Sequence, residues 1–323
     1  MMIDIVGAGA MGLLFGAKLA DAGEQVRFWT RTAEQAALLR IEGIELIEPE
    51  VGARIIDGSR FEVNCLSEYK EMVKGCHPDW LLITTKQRHI NDELLDGIRG
   101  ISGDRTKAVC FQNGIGHLEY IQQALWNQQV YAAITTEGAK RLSGRSISRA
   151  GQGETRIGIS LRLGNREANS QVLGHEKEAE CGESFVKRLK TAGFPAFLSK
   201  DIDREIFRKL LINAVINPLT ALWRVPNGQL LVTEERRALL RQLTEEGELI
   251  YRTNGIPFDS DMVEQIIAVC KSTATNTSSM LKDVLQGDPT EIDYINGRLV
   301  QMAKESNVYV PGLELIWKLV RNL

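Results

Sequence analysis

The stretch Met2-Ile3-Asp4-Ile5-Val6-Gly7-Ala8-Gly9-Ala10-Met11-Gly12, followed by Leu13-Leu14-Phe15-Gly16-Ala17-Lys18-Leu19-Ala20, decides the fold. The short apolar run predicts a strand over 2–6, and the pattern after Gly12 predicts a helix. A G-x-G-x-x-G turn joins them, which is the setting a dinucleotide-binding turn requires. Gly7 permits the tight turn, Gly9 lets a pyrophosphate approach the backbone, and Gly12 allows close helix–strand packing. Ala8, Ala10 and Met11 complete the cradle, and the helix N-terminus offers N–H groups and a positive dipole to phosphates. The bland alternative is a purely structural turn.

Working outward, Gly23 ends the helix and Gln25-Val26-Arg27-Phe28-Trp29 reads as a second strand. A carboxylate just past it would hold a ribose 2′-hydroxyl. This chain has Thr30-Arg31-Thr32 instead. Arg31 can pair with a 2′-phosphate, so NADP(H) is favoured over NAD(H), against a solvated surface arginine as the alternative. Strands are predicted over 80–84 and 107–111, and polar residues at such strand ends sit where ligands bind. Lys86 and Asn113 are the candidates there, the alternatives being a loop lysine and an Asn-Gly turn. Short strands are expected over 130–135, 146–148 and 155–159, extending the sheet in antiparallel fashion. A polar helix over about 176–192 and a last strand over 195–198 follow.

Beyond Asp201 strand signals give way to helical ones. Lys209, Asn213 and Asn217 are spaced by four, so they rise along one helix face with about 40° of drift per step. Leu210, Leu211, Ile212, Val215 and Ile216 surround them, an apolar setting for one cation and two amides. Such a face suits an oxygen-rich anionic small molecule; equally, the amides can bond neighbouring backbone while the lysine snorkels to water. Pro218 should kink or stop that helix near Asn217. Asp203 is its expected cap, and Thr233 caps the next helix. A third helix is expected over 259–270, and Asp288-Pro289-Thr290-Glu291 opens a fourth, with Glu291 close to a capping-box position. Asn227, in the Pro226-Asn227-Gly228 turn, can present an amide. Ser279, at the polar start of a helix, can hold a carboxylate or simply serve the cap. The expected fold class is therefore α/β, with an N-terminal Rossmann-type dinucleotide-binding domain (1–199) followed by an all-α C-terminal domain (200–323).

The bulk properties narrow the function classes. A net charge of −3 in 323 residues gives no sign of nucleic-acid or membrane attraction. The densest basic patch (Lys140, Arg141, Arg145 and Arg149) lies among Ser and Gly and reads as a solvated loop. Five scattered cysteines without a C-x-x-C pair point to a reducing compartment and away from structural zinc. No leader pattern or membrane-length apolar run is evident, so a cytoplasmic protein is expected. No metal is signalled, and His77, His89, His117 and His175 fall outside the constellations above. The apolar helix faces leave room for a homodimer interface without requiring one.

Across nearly the whole chain these residues resemble the ketopantoate reductase (2-dehydropantoate 2-reductase) family. The likeness rests on the Gly7–Gly12 turn, Gln112-Asn113-Gly114, Lys209-(x)3-Asn213-(x)3-Asn217-Pro-Leu-Thr-Ala-Leu, Pro226-Asn227-Gly228, Ser278-Ser279-Met280-Leu281 and Thr290-Glu291-Ile-Asp-Tyr-Ile-Asn-Gly297. The resemblance implies NADPH-dependent reduction of ketopantoate to pantoate, toward pantothenate and coenzyme A, with the site between the two domains. It puts Lys209 in the general-acid position and Glu291 in the carboxylate position of the site. Asn213, Asn217, Asn227 and Ser279 match substrate-binding positions, while Arg31, Lys86 and Asn113 match NADP-contacting ones. Hydride transfer to a ketone builds charge on oxygen, which a lysine can neutralise and protonate.

Family resemblance leaves the particular 2-oxo acid open. Trp223 and Arg224 beside the substrate loop, and the basic cluster at 140–150, depart from the expected pattern. The alternatives are reduction of another branched or aromatic 2-oxo acid on the same scaffold, and a non-catalytic NADP(H)-sensing protein. The complete Lys209–Asn–Asn–Ser279–Glu291 set argues against a sensor, which needs only the phosphate site.

Overall fold

The computed structural model describes residues 1–73, 75–164 and 175–323, the side chains of 175–179 excepted. The chain forms two compact units, Met1–Gln112 with His117–Ile202, and Asn113–Gly116 with Asp203–Leu323.

The first unit is a mixed α/β layer structure. Its central strand β1 (Met2–Val6) runs parallel to β2 (Gln25–Thr30) on one side and to β6 (Trp80–Ile83) on the other. β6 pairs in parallel with β7 (Lys107–Cys110), and β7 with β8 (Val130–Thr135). On the far side β5 (Phe61–Cys65) lies parallel to β2. The order reverses at β1, and the end of that strand is the switch point where such sheets bind ligands. Ile3 and Ile5 are fully buried, as expected of a parallel strand covered on both faces. Even Asp4 is buried, held by Arg27 at 2.7 Å and by the Trp29 indole at 2.7 Å. Helix α1 (Ala10–Asp21) packs tightly on this layer. A Cβ on Gly16 would meet the Phe28 ring at 2.1 Å, so only glycine allows that approach.

The strands after β8 depart from expectation. β11 (Thr155–Gly158) does join the main sheet antiparallel to β8, with β12 (Ala196–Leu198) beyond it. The middle segment instead belongs to a second sheet of four strands, in the order β4 (Gly52–Ile56), β3 (Ile44–Glu48), β10 (Ser146–Gly151) and β9 (Gly138–Arg141). Nor is its basic patch a solvated loop, since Arg149 is buried. It pairs with Glu137 at 2.6 Å, and Glu48 joins it at 3.4 Å. Burial of two carboxylates there recruits the guanidinium, a long-range requirement that local composition does not reveal. Helices α2 (Ala33–Glu42), α3 (Tyr69–Met72), α4 (Asp92–Ile101), α5 (His117–Ala124) and α6 (His175–Thr191) complete the unit as described.

The second unit is all-α: α7 (Ile202–Trp223), α8 (Glu234–Thr253), α9 (Met262–Ser272), α10 (Ser279–Gln286), α11 (Ile292–Glu305) and α12 (Pro311–Arg321). Thr233 caps α8 as expected, accepting from the Arg236 N–H. Three other expectations are corrected. Asp203 lies inside the first turn of α7 rather than capping it. Glu291 precedes α11 but makes no side-chain cap bond. Of the kink or stop expected at Pro218, the stop does not occur, since α7 runs on to Trp223. The carbonyl that Pro218 leaves without its helical donor is that of Ala214, and the buried Asn296 amide bonds it at 2.9 Å.

Candidate active site

Two groups of predicted residues can be built upward, one in each unit. In the first unit, Gly7 has φ +103, and a Cβ there would meet the Thr85 methyl at 2.8 Å. A Cβ on Gly12 would lie 1.9 Å from the Gly7 carbonyl oxygen. That carbonyl is fixed by the Thr84 hydroxyl, which donates to it at 2.7 Å, while the Gly7 N–H donates to Trp29 O at 3.0 Å. Gly9 is different, for nothing lies within 4 Å of a Cβ built on it. It is the N-cap of α1, and no side chain caps the helix. Ala8, Ala10 and Met11 complete the turn between β1 and α1. The result is open space over a helix N-terminus that no N-cap side chain occupies, which fits the pyrophosphate of a dinucleotide. Thr84, which sequence reading placed only at a strand end, is what holds this turn in shape.

Arg31 is exposed at the end of β2, just before Thr32, whose hydroxyl caps α2 by accepting from Gln35 N–H at 3.3 Å. Lys86 opens the short 3₁₀ turn Gln87–His89. These cations share one neighbourhood. The His89 imidazole is pushed down first by burial and then by the positive charges of Arg88, Arg31 and Lys86. His117, by contrast, is a structural group, with burial driving it down to about 3 and the Gln87 amide 2.9 Å from its Nδ1.

The helical unit gathers the rest. Lys209 is half-buried on α7, and burial pushes its ammonium down to about 8, opposed by the negative charge of Glu291. Glu291 is 8% exposed, and its Oε2 lies 3.5 Å from Nδ2 of Asn113. The segment Asn113–Gly116 packs with the helical unit, where the Ile115 N–H donates to Tyr294 O at 3.2 Å. Lys209, Glu291 and Asn113 thus form one cluster. Two turns along α7, buried Asn217 donates from Nδ2 to Ser279 Oγ at 3.5 Å. Asn213 is half-buried between them on the same helix. Ser278, not Ser279, caps α10, accepting from Leu281 N–H at 3.1 Å and sharing a 2.7 Å hydrogen bond with Thr220. The Ser279 hydroxyl is therefore not needed for the cap.

Asn227 opens the 3₁₀ turn Asn227–Leu231 and donates from Nδ2 to Thr273 Oγ1 at 2.8 Å. Its Oδ1 is buried without a partner. Trp223 does not join these groups; it lines an apolar groove with Leu219, Leu222 and Leu315, and Arg236 stacks 4.8 Å over its ring. Among the described residues no group of three or more His, Cys, Asp or Glu can hold a metal ion, and no helix is long and apolar enough to cross a membrane.

Residues 3–161 match the family described as ketopantoate reductase PanE/ApbA, and residues 201–323 match its C-terminal counterpart. A 2-dehydropantoate 2-reductase of Pyrococcus horikoshii is 30% identical over 325 residues, covering 99% of this chain and 97% of the relative. The crystal structure of a probable 2-dehydropantoate 2-reductase from Bacillus subtilis aligns with a TM-score of 0.77 at 27% identity, covering 100% of this chain and 99% of that one. A ternary structure of D-mandelate dehydrogenase with NADH and anilino(oxo)acetate shares the fold, with a TM-score of 0.84 at 24% identity over 100% of this chain and 98% of that one. With both halves matched and a curated relative spanning its length, the chain belongs to the ketopantoate reductase PanE/ApbA family of oxidoreductases.

Proposed function

We propose that this protein reduces ketopantoate to pantoate with NADPH, using Lys209 as the general acid. The observation that carries this reading is the half-buried Lys209 beside Glu291, with an ammonium poised near 8 on a helix face lined with amides. A donor in that range is mostly protonated at neutral pH yet gives up its proton readily. When bound, the reduced nicotinamide supplies the hydride to the carbonyl carbon. As the C–O double bond opens, the Lys209 ammonium neutralises the growing charge and passes its proton to that oxygen. The product is an alcohol, and neutral Lys209 then takes a proton from water.

The other residues position the reactants. Asn213 and Asn217 suit the keto and hydroxyl oxygens of the substrate, and Ser279 suits its carboxylate. Asn227 joins this substrate set by match of motif. Glu291 keeps Lys209 cationic and orients it. Gly7 to Gly12 hold the pyrophosphate, while Arg31, Lys86 and Asn113 are assigned to the rest of the dinucleotide.

The test follows NADPH oxidation by the purified protein with ketopantoate, beside pyruvate-like, branched and aromatic 2-oxo acids. Strong selectivity for ketopantoate supports the proposal. Turnover with a different acid alone would keep the mechanism and discard the substrate. Tight NADPH binding without any turnover would discard the catalytic reading.

A further inference from the structure

The hairpin that carries the basic patch is fastened to the dinucleotide cradle. Gln35, in the first turn of α2, donates from its side-chain amide both to Ala8 O, in the glycine turn, and to Gly144 O, in the hairpin, each at 2.9 Å. Farther along α2, Arg145 pairs with Glu42 at 2.8 Å. β10 is also locked in parallel register with β3, Ser146 opposite Glu45. The tip of the hairpin is thereby held beside the start of α2, directly after Arg31.

The three arginines of this hairpin have different fates. Arg149 is neutralised by Glu137 and Glu48, and Arg145 by Glu42. Arg141 has no carboxylate partner among the described residues; its Nε donates to Ser143 O at 2.8 Å, which fixes the guanidinium. Arg31 likewise forms no ion pair among the described residues. The two guanidinium groups feel one another, for Arg141 is pushed down first by burial and then by the charge of Arg31. Two cations in one electrostatic neighbourhood, one of them on a hairpin fastened beside the start of α2, with no acid between them among the described residues, are the arrangement a dianionic phosphate relieves.

We infer that Arg141 is a specificity-determining residue that joins Arg31 in holding the 2′-phosphate of the dinucleotide. The inference rests on the NADP(H) reading above and adds a second cation, from another sheet, to the single arginine legible after β2.

Binding of NADPH and of NADH, without substrate, tests it by protein-fluorescence titration of the parent, Arg31→Ala, Arg141→Ala and Arg145→Ala. Loss of one charged phosphate contact should raise the NADPH Kd of Arg141→Ala about tenfold or more and leave the NADH Kd unchanged. Arg145→Ala, already paired with Glu42, should change neither. Equal binding of NADPH and NADH by the parent would overturn the NADP(H) reading and this inference with it. A parent preference that Arg31→Ala erases and Arg141→Ala leaves intact would overturn the role of Arg141 alone. Equal weakening of both dinucleotides in Arg141→Ala would do the same, since it would mark a structural effect.

Discussion

The side-chain amide of Asn296 donates to the carbonyl of Ala214 at 2.9 Å, taking the place of the N–H that Pro218 lacks. This bond satisfies the carbonyl where α7 continues through a proline, so the helix that carries Lys209, Asn213 and Asn217 runs on to Trp223. Truncation by Asn296→Ala should cost about 1–3 kcal/mol in denaturant unfolding, because it leaves a buried carbonyl unpaired. The pair also predicts a coupling. Pro218→Ala restores the missing donor, so it should be more stabilising in the Asn296→Ala background than in the parent by about 1 kcal/mol. Strict additivity would remove this account of the proline.

Lys209 carries a pH prediction with a definite sign. In the proposed role of proton donor it must be charged, so the rate of reduction should be level below about 8 and fall as pH rises beyond it. The opposite reaction, alcohol oxidation, should rise through the same range. Lys209→Ala should lower kcat by about 10²–10⁴-fold while dinucleotide binding persists. Stability follows the same ionisation. The native lysine loses its proton near 8, whereas its unperturbed value is 10.5, so the unfolded chain binds more protons in that window. This residue's contribution to stability should therefore increase with pH from about 8 upward, and Lys209→Met should abolish that rise.

Glu291 acts on Lys209 through charge. Glu291→Gln removes the group that opposes the downward push of burial, so the alkaline limb of the rate profile should move to lower pH. Folding should be little changed, because glutamine keeps the size of the side chain and an oxygen that can accept from Asn113. An alkaline limb that stays in place would show that the carboxylate serves some other step.

Two glycines of the same turn should respond differently to one added methyl. Gly12→Ala drives a Cβ against the Gly7 carbonyl oxygen, so the apo-protein itself should lose stability, visible in thermal unfolding. Gly9→Ala meets open space, so unfolding should be unaffected while dinucleotide affinity falls about tenfold or more. Full affinity in Gly9→Ala would exclude close approach of a pyrophosphate there.

Arg31→Ala should reduce the preference for NADPH over NADH, leaving the affinity for NADH near that of the parent. Isothermal titration with each dinucleotide checks this. A parent protein that binds both equally would leave Arg31 as an ordinary surface residue.

The strand–turn–helix at the N-terminus was legible because it is local. The apolar run of β1, the glycine spacing and the helix that follows constrain one another within a few residues. The same holds for the row Lys209, Asn213 and Asn217, whose common face follows from helical periodicity alone. Only tertiary structure decided what those residues meet. Glu291 reads locally as a capping-box residue; its carboxylate instead faces Asn113, 178 residues away. The carbonyl that Pro218 leaves open in α7 is met by Asn296, from a helix with no sequence neighbourhood in common. The basic patch at 140–150 reads as solvated until a second sheet buries Arg149, pairs Arg145 and leaves Arg141 within reach of the charge of Arg31. Local sequence sets backbone conformation through sterics and periodicity, but burial and charge pairing are properties of the assembled chain, and those fix the pKa of Lys209 and the partners of each amide.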